Sequence, residues 1–268
     1  IYQQLTFVQN KDLGFDQSRL IYVTLKNDLA LKAPLIKADL LSHSSITDVA
    51  VTSNNLIDVN RSTGGITWDG KVEGDRILLT HMNVDQHFLS TTGMTLVTGR
   101  NFDPTIASDT SSAFLINETA ARRMGWTPGE ALGKTITLWE NKGQVIGVVK
   151  DFHFRPLTSA IEPFLFCNWP RESLSGMFVK AKGGSVPNAI STLEKIYKKY
   201  DRKSALHYEF MDDGLQRQYV REQNTGHIVL TFSVLAIFVS SLGLFGLATY
   251  SAEQRMKEMA YAKCWVQV

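Results

Sequence analysis

Residues 228–250 read IVLTFSVLAIFVSSLGLFGLATY, a run with no charged side chain and no proline. A helix of this length extends roughly 34 Å, and the hydrocarbon core of a bilayer is about 30 Å thick. Helices buried in soluble proteins usually keep a polar face, whereas this run is apolar on all sides apart from small and hydroxylated residues. The run therefore predicts one transmembrane helix.

The residues before this run have the composition of a water-soluble domain. The chain has 268 residues, of which 44% are hydrophobic and 20% charged, so a sizeable core can form. Its formal charge of +2 is small, and its basic residues are scattered among acids. This pattern argues against a nucleic-acid-binding protein.

A strand, a helix and a second strand are predicted twice, near the two ends of the soluble part. The first set covers residues 19–25, 31–43 and 46–53, and the second covers 177–182, 186–200 and 207–211. Two such units can interleave into one split α/β sandwich of the ferredoxin-like kind.

The residues between the two units are punctuated by Gly, Asp and Thr and read as an inserted β-rich lobe. Strands are predicted over residues 77–82, 113–116 and 144–149, and helices over 85–92 and 117–124. We therefore expect an α+β fold with a two-lobed extracytoplasmic domain.

Two segments flank the apolar run. Residues 212–226 are polar and helix-tolerant, and they predict a stalk helix that leads into the membrane. The run is followed by Arg255, Lys257 and Lys263, which favours a cytoplasmic end there. Arg217 and Arg221 on the other flank weaken this charge argument.

Small residues recur at helical spacing inside the apolar run. They are Ala236, Ser240, Gly243 and Gly246. Such a stripe lets a second helix approach closely, so these four residues are candidates for helix packing. The alternative is that they face lipid as filler, because glycine is tolerated in membrane helices.

Four sequence features could suggest chemistry, and we interpret each as structural. PGEALGKT (128–135) ends like a phosphate-binding loop, but strands around a turn at residues 141–143 are predicted after it. His81 and His87 are six residues apart and do not share a helix face. His153 has no nucleophile at an evident spacing. Cys167 and Cys264 lie on opposite sides of the span and cannot pair. We expect no metal, no cofactor and no enzymatic activity.

Three strings together resemble the permease subunits of ABC transporters that have a MacB-like periplasmic core domain and an FtsX-like membrane domain. The first is QNKDLGFD (9–16), which in relatives follows the first membrane helix. The second group is Gly93-Met94, GRNF (99–102), INE (116–118), Gly133-Lys134 and IGVVKDFHF (146–154). The third is SSLGLFGLATYSAEQRMKE (240–258). The chain departs from the family pattern after Glu258, where MAYAK and CWVQV replace an Ile-Gly-Ile-Arg-Lys-like stretch.

The resemblance implies an exporter or mechanotransmission complex with a separate ABC ATPase subunit, working as a homodimer or a pseudo-dimer of permease halves. It implies a membrane-proximal segment (1–18), a porter-like lobe (19–59 and 170–211), an inserted lobe (60–169) and a stalk (212–227). The membrane helix (228–250) and a cytoplasmic exit (251–268) would follow. Candidates that face the ATPase are Glu253, Arg255, Lys257 and Glu258.

The implied location is the bacterial inner membrane, with residues 1–227 periplasmic and membrane lipid as a further partner. An earlier membrane helix before Ile1 is expected, because no export signal begins the chain. Two other classes stay open. One is a membrane-bound sensor with an extracytoplasmic ligand-binding domain, and the other is a tethered surface hydrolase, which lacks a credible nucleophile and base.

Overall fold

The computed structural model describes residues 13–59, 61–155, 159–169, 174–202 and 204–265, with the side chains of 27, 58, 214–227, 253 and 257–265 outside that description. The chain divides into two units, Ile1–Gln216 and Arg217–Val268. The first half of the string QNKDLGFD, residues 9–12, therefore lies outside the described residues.

Twelve strands and six α-helices are described. The strands are β1 (Leu20–Thr24), β2 (Ile46–Thr52), β3 (Ser62–Thr63), β4 (Ile66–Trp68), β5 (Leu79–Asn83), β6 (Leu96–Gly99), β7 (Ala113–Asn117), β8 (Thr135–Leu138), β9 (Asn141–Val149), β10 (Phe164–Cys167), β11 (Gly176–Ala181) and β12 (Tyr208–Phe210). The helices are α1 (Ala33–Leu41), α2 (Phe88–Thr92), α3 (Glu118–Arg123), α4 (Pro128–Ala131), α5 (Val186–Tyr200) and α6 (Met211–Trp265).

The two ends of the first unit share a four-stranded antiparallel sheet with the order β12-β1-β11-β2. Strand β11 lies between β1 and β2, and β1 lies between β11 and β12, so each β-α-β unit is split by a strand of the other. Ile21 of β1 lies opposite Phe210 of β12. The expected split α/β sandwich is confirmed.

The residues between these ends form an eight-stranded mixed sheet. Its order is β3-β5-β10-β7-β9-β8-β4, and β6 pairs with β9 beside this path. Strand β10 runs parallel to β5, and β7 runs parallel to β9, whereas β8 and β9 form an antiparallel hairpin. The expected α+β fold with a β-rich insertion is therefore confirmed.

Three apolar cores hold the first unit together. Helices α1 and α5 cover one face of the four-stranded sheet through residues such as Ile36 and Leu193. The core between the two sheets, which we call the inter-sheet core, is rich in phenylalanine. Side chains of β7 alternate between it and the third core, since Leu115 faces the inter-sheet core and Phe114 faces the third.

The predicted turn at residues 141–143 is wrong. Leu138 already pairs with Asn141, so the turn consists of Trp139 and Glu140, and Trp139 has a φ of 55°. Gly143 instead allows a close approach, because a Cβ there would lie 2.6 Å from the carbonyl carbon of Ser112. The glycine marks a contact between backbones and not the hairpin turn.

The helix predicted over residues 85–92 is shorter than expected. The Asp85 carboxylate accepts hydrogen bonds from the backbone N–H groups of Val51 and His87, at 3.1 Å each, and from Lys37 at 2.6 Å. This carboxylate therefore joins β2 and α1 to the start of the predicted helix. Residues 85–87 form a turn, and α2 begins only at Phe88. Tertiary bonds here outweigh local helix propensity.

Candidate functional site

Helix α6 contains one candidate membrane span, Ile228–Met256. Its apolar side chains are exposed within the described structure, and Phe232, Leu244 and Phe245 are each about two-thirds exposed or more, at 68, 70 and 70%. Exposed aromatic and aliphatic side chains around a whole helix are typical of a segment that contacts lipid or other membrane helices.

The four small residues predicted to pack helices lie in this span and are exposed. Ala236, Ser240, Gly243 and Gly246 fall near one face of the α-helix, because they are separated by four, three and three residues. A Cβ added at Gly243 or Gly246 would meet no described atom within 4 Å. The surface is open to a partner helix, and its role stays a prediction.

The four residues predicted to face an ATPase follow along the same helix. Arg255 is exposed. Glu253, Lys257 and Glu258 continue the helical backbone, but their side chains lie outside the described residues. No ion pair of Arg255 is found among the described side chains. The assignment of these four residues to an ATPase-facing surface therefore stays a prediction.

In the first unit, the strings that carry the family resemblance converge beside the inter-sheet core. Gly99 and Gly147 come from GRNF and IGVVKDFHF, and each would clash with the other strand if it carried a side chain. A Cβ at Gly147 would lie 2.5 Å from the Arg100 carbonyl oxygen, and one at Gly99 would meet Ile146 and Gly147. These glycines let the edge of β6 lie against β9.

Arg100 makes a bidentate ion pair with Asp109. The two N–H···O distances are 2.5 and 2.9 Å, and the Asp109 side chain is fully buried. Burial by itself would raise the pKa of Asp109, but the hydrogen bonds from Arg100 and from the Asp103 N–H outweigh it and hold the pKa below its usual value. The pair fixes the irregular chain between β6 and β7.

Asn117 and Asp151 tie the family strings INE and IGVVKDFHF to each other and to β10. Asn117 caps α3 as expected, since its Oδ1 accepts the Ala120 N–H at 2.9 Å, and it also accepts the Phe164 N–H at 2.9 Å. The Asp151 carboxylate accepts the Thr119 N–H at 2.8 Å, and Glu118 accepts the Asp151 N–H at 2.9 Å. The convergence is thus a network of structural hydrogen bonds.

The four features that could suggest chemistry have structural settings. PGEALGKT forms the short helix α4, with a capping box between Thr127 and Glu130, and then strand β8. His81 is buried in β5 and packs edge-on to Trp139, while His87 Nδ1 lies 3.2 Å from an Asp48 oxygen.

His153 and Cys167 also lie in structural positions. The His153 N–H donates to the Leu13 carbonyl oxygen at 2.8 Å, and Cys167 is buried in β10, where its Sγ lies 3.7 Å from the Met82 carbonyl oxygen. Among the described residues, no group of three or more His, Cys, Asp or Glu side chains could hold a metal ion.

Sequence reasoning missed two groups that organise this convergence. Asp109 lies in an irregular segment and carries no local sign that it meets Arg100. Gly14 and Asp16 belong to the family string QNKDLGFD, and the signal available in the sequence is the glycine itself, which adopts the positive φ of +82° without strain.

The comparisons with known proteins agree with this geometry. A family model described as the MacB-like periplasmic core domain matches residues 5–195. A search of curated proteins gave no match.

Two solved structures have a similar fold. The periplasmic region of MacB from Actinobacillus actinomycetemcomitans has a TM-score of 0.54 and 16% identity, over 76% of this chain and 94% of that chain. A domain of a putative permease protein from Porphyromonas gingivalis has a TM-score of 0.50 and 18% identity, over 72% of this chain and 90% of that chain. The resemblance found in the sequence is confirmed, and the chain belongs to the family of MacB-like periplasmic core domains.

Proposed function

We propose that this chain is the extracytoplasmic domain and following membrane helix of an ABC transporter permease. In this role it couples ATP hydrolysis by a separate cytoplasmic ATPase to movements in the periplasm, for export or mechanotransmission. The observation that carries the proposal is helix α6, which begins at the fully buried Met211 and is continuous through the candidate span to Trp265. A continuous helix can transmit a rigid displacement along its length.

The proposal assigns a part to each segment. Residues 19–59 and 170–211 form the porter-like lobe, 60–169 the inserted lobe and 212–227 the stalk, while 1–18 is membrane-proximal. The exit after the membrane helix 228–250, with Glu253, Arg255, Lys257 and Glu258, faces the ATPase. The stripe on the membrane helix packs against another permease helix in a homodimer or pseudo-dimer. The chain itself contributes no catalytic step.

The membrane orientation can be tested first, by labelling intact cells with a membrane-impermeant maleimide. The full-length protein would carry Cys264→Ser and either Asn188→Cys on α5 or Glu253→Cys after the apolar run 228–250. We expect Asn188→Cys to be labelled from outside the inner membrane and Glu253→Cys only after the cells are opened. The reverse pattern would contradict the proposed topology.

Coupling is tested by breaking the stalk. Proline inside a helix removes a hydrogen bond and costs about 3 kcal/mol, so we expect Tyr219→Pro to abolish ATP-driven export or ATP-driven movement of the periplasmic domain. Tyr219→Ala is the matched control, since it removes the same side chain and keeps the helix. The complete protein should co-purify with an ABC ATPase. Normal ATP-driven activity in a folded, inserted Tyr219→Pro variant would contradict the proposal.

A further inference from the structure

Residues 13–18, which precede β1, make backbone hydrogen bonds to the segment that follows β9 of the eight-stranded sheet and to helix α2, which packs in the inter-sheet core. The Leu13 carbonyl oxygen accepts the His153 N–H at 2.8 Å, and the Asp16 N–H donates to the Thr92 carbonyl oxygen at 2.7 Å. His153 follows β9, and Thr92 is the last residue of α2. We call residues 13–18 the clamp segment.

The clamp segment also bonds to the four-stranded sheet. Lys180 of β11 places its Nζ 2.6 Å from a carboxylate oxygen of Asp16 and 3.1 Å from the Asp16 carbonyl oxygen. The pKa of Asp16 is lowered, because the hydrogen bonds from Lys180 and Ser18 outweigh the opposing effect of burial. Asp16 is therefore ionised at neutral pH and available for this pair.

Between these bonds, the clamp segment is packed too closely to shift easily. Leu13 and Phe15 are buried in the inter-sheet core, with exposures of 4 and 7%. Gly14 has a φ of +82°, and a Cβ there would lie 2.6 Å from the Asp151 carbonyl oxygen and 2.8 Å from the Phe152 Cα. Only glycine fits this conformation and this approach.

We infer that the clamp segment fixes the start of β1 to both sheets, so that a displacement of the chain at Leu13 moves the eight-stranded sheet together with the four-stranded sheet. Without these bonds, the backbone of β1 would be hydrogen-bonded among strands only to β11 and β12, although Leu20 and Tyr22 reach the inter-sheet core. The other backbone bonds between the two sheets include that from the Ser53 N–H, after β2, to the Asn83 carbonyl oxygen of β5 at 2.9 Å. Backbone hydrogen bonds and a glycine contact are directional, whereas an apolar core resists sliding only weakly. A role of the clamp segment in transmitting movement rests on the proposed permease function. The linkage of the two sheets by the clamp segment does not depend on that function.

Hydrogen–deuterium exchange on the full-length protein in nanodiscs tests the inference. The amides of Asp16 and His153 report the two backbone bonds. Two reference amides report the sheets, since Ala181 donates to Arg19 at 3.0 Å and Val145 donates to Lys134 at 3.0 Å. We expect all four to exchange within about tenfold of one another, as members of one cooperative unit. Exchange of Asp16 and His153 about 100-fold faster than both references would overturn the inference.

A pair of glycine variants makes the test specific. Gly14 and Gly125 both have a φ of +82°, but a Cβ at Gly125 would meet no described atom within 4 Å. Both Gly14→Ala and Gly125→Ala therefore strain the backbone, and only the first also creates a clash. We expect Gly14→Ala to speed exchange at Asp16 and His153 by about 100-fold while Ala181 stays protected, and Gly125→Ala to leave both clamp amides unchanged.

A second variant covers the case in which Gly14→Ala does not fold. Phe15→Ala removes the buried anchor without adding bulk, and we expect it to speed exchange at the same two amides by about tenfold. Unchanged exchange in a folded Gly14→Ala or Phe15→Ala variant would overturn the clamp. These measurements need no ATPase, so a failure of co-purification would reject the proposed function and leave the clamp standing.

Discussion

At the scale of single residues, buried polar groups set the conformation of the irregular segments. The Asp109 carboxylate accepts hydrogen bonds from both terminal nitrogens of the Arg100 guanidinium and from the Asp103 N–H. The Asn117 side-chain oxygen accepts hydrogen bonds from two backbone N–H groups. A buried acceptor that loses its donors costs more than the bond itself contributes. These two residues therefore determine the paths of the chain after β6 and after β7.

Replacing the Asp109 carboxylate should destabilise the first unit in a pH-dependent way. We expect Asp109→Asn to lower the free energy of unfolding by about 1–3 kcal/mol at pH 7, because Arg100 loses its charged partner. The folded pKa lies below the unfolded value of about 3.9, so ionised Asp109 contributes its stability above about pH 4. That contribution is lost as the pH falls through the folded pKa, and the difference between wild type and variant should shrink there.

Urea unfolding between pH 3 and 7 measures this difference. Asp75→Asn is the control, because Asp75 is an exposed carboxylate on the loop between β4 and β5. Equal stability of wild type and Asp109→Asn at pH 7 would show that the ion pair does not hold the segment.

At the scale of elements, the local sequence explains most helices and strands, but not every boundary. Asn117 begins α3 and Thr127 begins α4, since each side chain accepts a backbone N–H of the first turn. The start of α2 and the β8–β9 turn depend on Asp85 and on the Leu138–Asn141 pair. Those boundaries could not be predicted, because the first results from bonds of Asp85 to β2 and α1 and the second from the register of β8 against β9.

The membrane helix offers a matched pair of serines for testing the stripe. Ser240 lies on the stripe, and Ser241 is rotated from it by about 100°. We expect Ser240→Leu to weaken association with a partner helix by about tenfold, since a larger side chain holds the backbones apart. Ser241→Leu should have little effect. Energy transfer between labelled copies in bilayers measures association, and equal effects of the two substitutions would favour lipid-facing filler.

At the scale of the whole first unit, aromatic rings connect the two sheets. Tyr22 contacts Phe178 with ring centroids 5.1 Å apart, Phe178 contacts Phe88 at 5.8 Å, and Phe88 contacts Phe166 at 5.3 Å. The series starts in β1 and ends in β10, so it crosses the whole inter-sheet core. Each ring pair adds about 0.5–1.5 kcal/mol beyond its buried area. The two sheets should therefore unfold together.

Thiol labelling in urea tests this cooperativity. Cys167 reports the far side of the eight-stranded sheet, and a cysteine introduced by Ala189→Cys reports the far side of the four-stranded sheet. Peptide mass spectrometry should show both thiols becoming reactive at the same urea concentration. Phe166→Ala should lower the free energy of unfolding by about 3–5 kcal/mol. Both thiols should therefore become reactive at a lower urea concentration than in the wild type. Labelling of one thiol at clearly lower urea would show that the sheets unfold separately.

The order of helices and strands could be predicted from the sequence, but the side-chain contacts between distant segments could not. The two β-α-β units, the β-rich insertion and the apolar span follow from periodicity within short windows. The pairing of Arg100 with Asp109, and of Lys180 with Asp16, joins residues that local patterns cannot relate. The candidate site residues on α6 were found from spacing and resemblance, and their partners are molecules other than this chain.

One pairing in the four-stranded sheet bears on how such a domain could be acquired or lost. Ile21 near the start of β1 and Phe210 at the end of β12 are antiparallel neighbours, so their Cα atoms lie about 5 Å apart. The chain therefore enters β1 and leaves β12 at nearly the same point. About 190 residues could be excised there and replaced by a short turn, or grafted into another host between two adjacent positions, provided that the clamp segment moves with them, because Leu13 and Phe15 pack in their core.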